Sequence, residues 1–228
     1  MRERTVRYKG KDLTIYFTPS RCTHVAECLR GAPEVFDSTR KPWIITDAEP
    51  ADHVAKVIET CPTGALHYKW REKEDAEKPP KENTIDVVAD GPLYFHGDLE
   101  VKNPKGETVI RDTRLAFCRC GLTEHNPLCD DSHELEFSDE GQVSTERLPK
   151  PSDSPAGMPV HIKVMKNGPL LIDGPVTIKD ARGNEIVRTE KTALCRCGAS
   201  KRKPFCDGRH SGIRFREPGE LIDNLRGK

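Results

Sequence analysis

The feature that most limits how this chain can fold is an internal repeat, which also carries most of its cysteines. The segment starting at Ile85, IDVVADGPLYFHGDLEVKNPKGETVIRD, aligns without gaps to the one starting at Ile162, IKVMKNGPLLIDGPVTIKDARGNEIVRT. The same offset of 77 residues relates the loops that follow, CRCGLTEHNPLCDDSH and CRCGASKRKPFCDGRH. The chain therefore contains two copies of one module of about fifty-five residues.

Each copy alternates short apolar–polar segments with glycine-containing turns, a pattern that predicts a small β meander. The segments NPKGE and DARGN are the expected hairpin loops. Aromatic residues make up only 6% of the chain, which is typical of small modules that depend on more than a large apolar core. We expect the two copies to pack against each other as a pseudo-twofold pair, because neither can bury a sheet face alone.

Shifts in composition mark the domain boundaries. The charged segment REKEDAEKPPKEN and the proline-rich segment STERLPKPSDSPAGMP are typical of linkers. We predict a ferredoxin-like domain at 1–70, a linker at 71–84, module 1 at 85–140, a linker at 141–160, module 2 at 161–217 and a tail at 218–228. The first domain has a strand-like DLTIYF and helical patterns near 23–31 and 50–60. The predicted fold class is α+β, with β-rich modules after a small mixed domain.

The cysteines indicate metal ligation better than disulfide bonding. They fall into three groups of three, and an odd total fits a complete disulfide set poorly. The N-terminal MRERTVRYKGKDLTIYF lacks the apolar core of a signal peptide, so we expect a reducing cytoplasm, which also disfavours disulfides.

Each repeat offers the pattern C-x-C-x8-C-x3-H. Three cysteines and one histidine are a legitimate zinc set, although zinc sites usually open with two to four residues between the first cysteines. In a two-iron cluster the C-x-C pair can hold one iron and the C-x3-H pair the other, and the imidazole raises the reduction potential. The spacing favours such a cluster, with zinc and free thiols as alternatives. The candidate ligands are Cys118, Cys120, Cys129 and His133 in module 1, and Cys195, Cys197, Cys206 and His210 in module 2.

These loops resemble the signature of the CDGSH (NEET) iron–sulfur family, C-x-C-x2-[ST]-x3-P-x-C-D-G-[STA]-H. The resemblance covers residues 85–140 and 162–217 and implies one [2Fe–2S] cluster in each repeat. Two residues depart from the signature, since Asp131 stands where the family has glycine and Arg209 replaces the small residue before the histidine. The resemblance also implies supporting loop residues at Thr123, Pro127, Asp130, Ser200, Pro204, Asp207 and Gly208.

The first domain resembles single-cluster bacterial ferredoxins and the divergent four-iron mono-cluster domains that often precede CDGSH repeats. The resemblance rests on CTHVAEC and CPTGAL, which supply Cys22, Cys28 and Cys61, whereas Val25 occupies the position of a fourth ligand. It implies a [3Fe–4S] cluster, or a [4Fe–4S] cluster completed by an outside ligand or by His24. Three packed or free thiols are the alternative.

These ligand sets predict an iron–sulfur protein that acts in one-electron transfer. Cluster storage or transfer, and redox or pH sensing, use the same ligands and stay open as alternatives, and a structural zinc protein is a third. The sequence shows no nucleophile–base pair and no phosphate-binding loop, so we expect an electron carrier and not an enzyme that transforms a substrate.

Charge indicates the kind of partner. The net charge is zero, which gives no general attraction to nucleic acid, and no apolar run is long enough to cross a membrane. The window 118–140 nevertheless carries a net charge of −6, whereas the equivalent window 195–217 carries +5. We expect the module 2 cluster to be reduced first and its basic face to dock an acidic redox protein, with an apo-acceptor of clusters as the alternative partner. We expect a monomer that contains an internal pseudo-dimer.

Overall fold

The computed structural model describes residues 4–72 and 76–220. The regular secondary structure of these residues is mostly β-strand with few helices, as expected for β-rich modules. The chain divides into two compact units, Met1–Lys78 and Pro79–Lys228, and their boundary falls inside the predicted linker 71–84. No helix in the described ranges is both long and apolar enough to span a bilayer. Most of the predicted tail 218–228 lies outside the described residues.

The first unit is a three-stranded antiparallel sheet with two helices. The strands are β1 (Val6–Lys9), β2 (Leu13–Phe17) and β3 (Leu66–Trp70), with β2 in the middle. Helix α1 spans Glu27–Gly31 and α2 spans Ala51–Glu59. Helix α2 forms because its buried residues recur at helical spacing, with Val54, Val57 and Ile58 turned toward the core. The predicted strand in DLTIYF and the helix near 50–60 are therefore confirmed, while the ferredoxin-like fold stays a prediction.

The other predicted helix in this unit is shorter than expected. The pattern near 23–31 suggests a helix through His24, but α1 begins only at Glu27. His24 and Ala26 both adopt positive φ angles, of 48° and 65°, which right-handed helical residues do not have. The loop that carries Cys22 therefore approaches the helix in an irregular conformation.

The second unit contains the two repeats, and each is an antiparallel meander. Module 1 has β4 (Thr84–Val87), β5 (Leu93–Lys102) and β6 (Thr108–Phe117), followed by a 3₁₀ turn at Ser132–Leu135. Module 2 has β7 (Val160–Val164), β8 (Leu170–Lys179) and β9 (Glu185–Leu194), followed by helix α3 at Arg209–Gly212. Strands β5 and β6 and the 3₁₀ turn match β8, β9 and α3 residue for residue at the offset of 77.

The first strand of each repeat pairs with both repeats, and this reciprocal strand exchange builds one six-stranded sheet. Strand β4 pairs antiparallel with β5 of its own repeat and parallel with β8 of the other, with Ile85 opposite Ile178. Strand β7 does the same in reverse, pairing antiparallel with β8 and parallel with β5, where Ile162 lies opposite Val101. These short strands thus occupy the middle of the sheet between β5 and β8, with β6 and β9 outside. One continuous apolar core, drawn from both repeats, covers this sheet.

The predicted linker 141–160 is held against module 2. Val143 is buried in the shared core. Further along, Ser152 and Ser154 donate hydrogen bonds through their hydroxyls to Glu190, at 3.1 and 2.5 Å. The carbonyl of Lys150 accepts a hydrogen bond from Thr189 Oγ1 at 2.8 Å. This segment therefore lies along β9, so the chain that connects the two repeats also packs against module 2.

Candidate metal centres

In module 1, a tight return of the chain after β6 brings the predicted ligands together. The backbone N–H of Cys118 donates to the carbonyl of Pro127 at 3.0 Å, and that of Cys129 donates to Ala116 at 2.9 Å, so the two cysteines lie on adjacent segments. The Sγ atoms of Cys118 and Cys120 are 3.4 Å apart. Cys129 Sγ lies 3.4 Å from His133 Nδ1. The four candidate ligands thus lie as two close pairs, one from the C-x-C segment and one from the C-x3-H segment.

Module 2 repeats this arrangement. Cys195 N–H donates to the carbonyl of Pro204, and Cys206 N–H donates to Ala193, both at 2.8 Å. The Sγ atoms of Cys195 and Cys197 are 3.7 Å apart, and Cys206 Sγ lies 3.4 Å from His210 Nδ1. Cys195 is buried, while Cys197, Cys206 and His210 are partly exposed, so one side of this ligand set reaches the surface.

The supporting residues hold the loops through backbone hydrogen bonds. Thr123 Oγ1 donates to the carbonyl of Leu128 at 2.8 Å, and Ser200 Oγ donates to Phe205 at 2.6 Å. Asp130 accepts a hydrogen bond from the N–H of Glu124 at 2.8 Å, and Asp207 accepts one from Lys201 at 2.9 Å. Pro127 and Pro204 each follow a cis peptide bond, and Gly208 has a positive φ of 86°. All seven predicted supporting residues therefore lie within the ligand loops.

The thiol pKa values show how these ligands interact. A hydrogen bond from Cys120 lowers the pKa of Cys118 to about 6, and Cys120 in return has a raised pKa. Cys197 lowers the pKa of Cys195 to about 6 in the same way. Burial, with added repulsion from Cys118, raises the pKa of Cys129 to about 12. Gathered, buried thiols whose thiolates repel one another are stabilised by a bound cation, so these residues fit an iron centre.

Sequence reasoning missed two buried arginines, one at the middle position of each C-x-C pair. Arg119 is 1% exposed, donates to the carbonyls of Gly91 and Val88 at 2.7 and 2.5 Å, and pairs with Asp139 at 2.6 Å. Arg196 makes the equivalent bonds to Gly168 and Met165 at 2.9 and 2.6 Å, and pairs with Glu217. Each guanidinium also lies over an aromatic ring, Phe137 in module 1 and Phe215 in module 2. The signal that could have revealed them is their recurrence at the offset of 77.

The two ligand loops of the second unit lie against each other. A Cβ atom on Gly198 would lie 2.4 Å from the carbonyl oxygen of Cys120. Conversely, a Cβ atom on Gly121 would lie 3.0 Å from the carbonyl carbon of Cys197. Both glycines have positive φ angles, 74° for Gly198 and 85° for Gly121. Each loop therefore uses a glycine to make room for a ligand residue of the other repeat.

In the first unit, Cys22, Cys28 and Cys61 line one cavity. Val25 lines it as well, as do His24 and the proline after Cys61. Burial first, and then the charges of Cys61 and Cys22, raise the pKa of Cys28 to about 11. The three thiols thus lie close enough to interact, which fits a shared metal centre in the same way as the loops of the second unit. The loop conformation that brings Cys22 to the cavity includes the positive φ angles of His24 and Ala26.

Comparisons with known proteins agree with these sites. The family model described as divergent 4Fe-4S mono-cluster matches residues 8–71, and the one described as iron-binding zinc finger CDGSH type matches 90–134 and 167–211. Residues of the first unit are similar to the uncharacterized protein YjdI of Escherichia coli K12 and of E. coli O157:H7, with 44% identity over 64 residues. This match covers 28% of the chain and 84% of YjdI. No solved structure matches the chain significantly. The chain therefore belongs to the iron–sulfur proteins in which a divergent 4Fe–4S mono-cluster domain precedes two CDGSH-type iron-binding domains.

Proposed function

We propose that this protein is a one-electron carrier with a [2Fe–2S] cluster in each CDGSH module and a third cluster in the first unit. The observation that carries the proposal is the mutual contact of the two ligand loops, in which Gly198 lies against Cys120 and Gly121 against Cys197. Electron exchange between two centres falls steeply with their separation. Adjoining ligand loops keep that separation short, which supports exchange of an electron between the two modules.

When bound, a [2Fe–2S] cluster accepts and releases one electron. The chain's own residues provide the setting for it. Cys118, Cys120, Cys129 and His133 supply the ligands of module 1, and Cys195, Cys197, Cys206 and His210 those of module 2. Backbone N–H groups also point at the sulfurs, from Gly121 to Cys118 Sγ and from Gly208 to Cys206 Sγ, both at 3.4 Å. Such donors stabilise negative charge on a thiolate, so they favour a reduced centre.

The buried arginines stabilise the ligand loops from the interior of each module. Arg119 and Arg196 each connect a C-x-C turn to the glycine turn before β5 or β8 and to the segment after the histidine. They fix the loop backbone in three directions and place a guanidinium, paired with a carboxylate, between two candidate ligands. Both effects support a centre that changes charge without moving, which a fast electron carrier requires.

For the first unit we propose a [3Fe–4S] cluster on Cys22, Cys28 and Cys61, or a [4Fe–4S] cluster completed from elsewhere. The shared cavity supports a common centre, and the presence of Val25 in its lining supports one iron position without a protein ligand. Valine offers no donor atom, so the chain provides three thiolates there.

We propose an acidic redox protein as the partner of module 2. Lys201, Arg209 and Arg214 are exposed beside its ligand loop, whereas the equivalent loop of module 1 exposes Glu124. Complementary charge speeds encounter between proteins and orients them. We also propose that the two modules act as a pseudo-twofold pair, which the pairing of β4 with β8 and of β7 with β5 supports. We further propose that the protein is a monomer in the cytoplasm.

Iron and sulfide quantitation of anaerobically purified protein tests the number of clusters. Seven or eight irons per chain support all three sites, four irons contradict the site in the first unit, and a colourless zinc-loaded protein overturns the proposal. Incubation of the loaded protein with an apo-ferredoxin then tests the role. Rapid reoxidation with the clusters retained supports a carrier, whereas cluster loss with reconstitution of the acceptor supports cluster transfer instead.

The order of reduction tests the charge argument. Redox titrations of Cys129→Ser and Cys206→Ser, each of which disables one module, give the potential of the remaining cluster. We expect the higher potential in the variant that keeps module 2. Equal potentials, or a higher potential in module 1, would show that local hydrogen bonds outweigh the surface charges.

A further inference from the structure

The two modules differ at the second residue after their third cysteine, where module 1 has Asp131 and module 2 has Gly208. Both residues have left-handed backbones, with φ angles of 68° and 86°. A residue with a Cβ atom is less stable than glycine in this region, although aspartate is among those that enter it. Module 1 therefore has a carboxylate at a position where the backbone itself favours glycine.

This carboxylate lies beside the outer ligand pair of module 1. Cys129 Sγ, an Asp131 carboxylate oxygen and a ring nitrogen of His133 all lie within 4.8 Å of one another. Among the described residues, this is the one group of three such donors at that spacing. Module 2 has only Cys206 and His210 in the equivalent place, because Gly208 has no side chain.

The carboxylate of the neighbouring Asp130 stabilises the loop. Its carboxylate accepts hydrogen bonds from the backbone of Glu124 at 2.8 Å and from the hydroxyl and backbone of Ser132 at 2.7 and 3.1 Å. Asp131, by contrast, makes no side-chain cap hydrogen bond, although it stands at the start of the 3₁₀ turn. Burial raises the pKa of Cys129, and a hydrogen bond from the backbone of Asp131 opposes that effect. The negative charges of Cys118, Asp131 and Asp130 raise this pKa further. The observation that places the Asp131 carboxylate at this site is its position within 4.8 Å of Cys129 Sγ and of a ring nitrogen of His133.

We propose that Asp131 is a reserve ligand, a group that can take the place of His133 on the iron atom that Cys129 also holds. The inference rests on the proposed function in requiring a cluster in module 1. Carboxylate is an accepted iron ligand in proteins and needs no change of oxidation state to replace imidazole. One iron–nitrogen bond breaks, one iron–oxygen bond forms, and the imidazole leaves. Module 1 should then keep its cluster without His133, and module 2 should lose its cluster without His210.

Four variants of the full chain test this proposal in matched pairs. The first pair is His133→Ala and His133→Ala with Asp131→Asn, which keeps the side-chain shape and removes the charged donor. The second pair is His210→Ala and His210→Ala with Gly208→Asp, which gives module 2 the missing carboxylate. A Cβ atom at Gly208 meets nothing within 4 Å, so the new side chain has room. Iron and sulfide per chain, and the rate at which visible absorbance is lost to a chelator, are measured for each.

We expect His133→Ala to lose its module 1 cluster at least tenfold more slowly than His210→Ala loses its module 2 cluster. Adding Asp131→Asn should abolish the difference, and adding Gly208→Asp should slow the loss from module 2. Pulsed EPR of reduced His133→Ala should show histidine nitrogen coupling only on the module 2 signal, through His210, while a module 1 signal without that coupling persists.

Equal rates of loss in His133→Ala and His210→Ala, or rates that Asp131→Asn leaves unchanged, would overturn the proposal. Asp131→Asn alone should retain its iron, which separates loss of a ligand from failure to fold. If wild-type protein contains no two-iron clusters, it is the proposed function that fails, so the two outcomes are distinguishable.

Discussion

The guanidinium of Arg196 forms an ion pair with the carboxylate of Glu217, and their side chains are only 2% and 1% exposed. Arg196 lies between the candidate ligands Cys195 and Cys197, and Glu217 lies seven residues after the candidate ligand His210. The pair therefore connects both ends of the module 2 ligand loop through the interior. Burial lowers the pKa of Arg196, and the charge of Glu217 opposes that effect.

Glu217→Gln should lower the free energy of unfolding of the second unit by about 3 kcal/mol, because it leaves a buried guanidinium without its counter-charge. Urea denaturation of the cluster-loaded chain, followed by circular dichroism, measures the change. Asp139→Asn is the matched control in module 1, where the carboxylate is 16% exposed. Water reaches that carboxylate, so the control should lose less stability, and equal losses would contradict the role of burial.

Gly198→Ala should destabilise the contact between the two ligand loops. Its Cβ would lie 2.4 Å from the carbonyl oxygen of Cys120, and its φ of 74° adds backbone strain. Gly183→Ala isolates the strain, since Gly183 has a φ of 82° and open space around it. We expect about 1 kcal/mol of destabilisation for Gly183→Ala and roughly twice that or more for Gly198→Ala. A weaker loop contact should also slow electron exchange between the two modules. We expect stopped-flow reduction to show this slower exchange in Gly198→Ala and not in Gly183→Ala.

The acid stability of the second unit should depend on His96. Burial lowers the pKa of His96, the carboxylate of Asp86 opposes this shift, and the cations Arg114 and Lys179 add to it. The unfolded chain then binds a proton at a pH where the folded chain does not, so stability falls as pH decreases below the ordinary value of about 6.5.

Glutamine does not titrate in this range, so His96→Gln should reduce the dependence of the free energy of unfolding on pH. Free energies of unfolding of the variant and the wild type, measured between pH 5 and pH 8, should differ by a constant above about pH 7 and converge or cross below it. Parallel curves for His96→Gln and wild type would rule the prediction out.

Val25→Cys should change the cluster of the first unit. Val25 lines the same cavity as the three cysteines, so a thiol there can supply the ligand that valine does not. We expect the EPR signal of an oxidised three-iron centre in the wild type, and its replacement in Val25→Cys by the signal of a reduced four-iron centre. His24→Ala tests the alternative ligand. An EPR spectrum of this variant identical to that of the wild type would exclude coordination by His24. A first unit without iron after anaerobic reconstitution would instead support degenerate, free thiols.

The repeat explains why so much of the second unit could be predicted from the sequence. The gapless offset that relates Cys118 to Cys195 also relates β5 to β8 and β6 to β9, and in each module the C-x-C pair and the C-x3-H pair have their side chains 3.4 to 3.7 Å apart. The exchange of β4 and β7 could not be predicted, because an alternating pattern indicates which face of a strand is buried and not which strand lies beside it. In the first unit, the left-handed residues His24 and Ala26 shorten a helix whose apolar spacing continues through them.

The buried arginines show a second limit of sequence reasoning. Arg119 and Arg196 are charged, and such residues are expected at the surface unless a partner is known. Their partners are backbone carbonyls about thirty residues upstream and a carboxylate about twenty downstream, which no local pattern connects. Only their shared position within the C-x-C pair hints at a common role.

Strand exchange also has a consequence for how such a chain can evolve. Module 1 alone would leave residues 99–102 of β5 without the parallel strand that the other repeat supplies, and a second molecule of the same module could supply it. Two identical molecules must carry the same side chain at every equivalent position. Once both halves are encoded in tandem, each position is inherited separately, and Asp131 can face its ligands while Gly208 does not. Fusion thus turns a symmetric assembly into one whose two halves can acquire different properties by single substitutions.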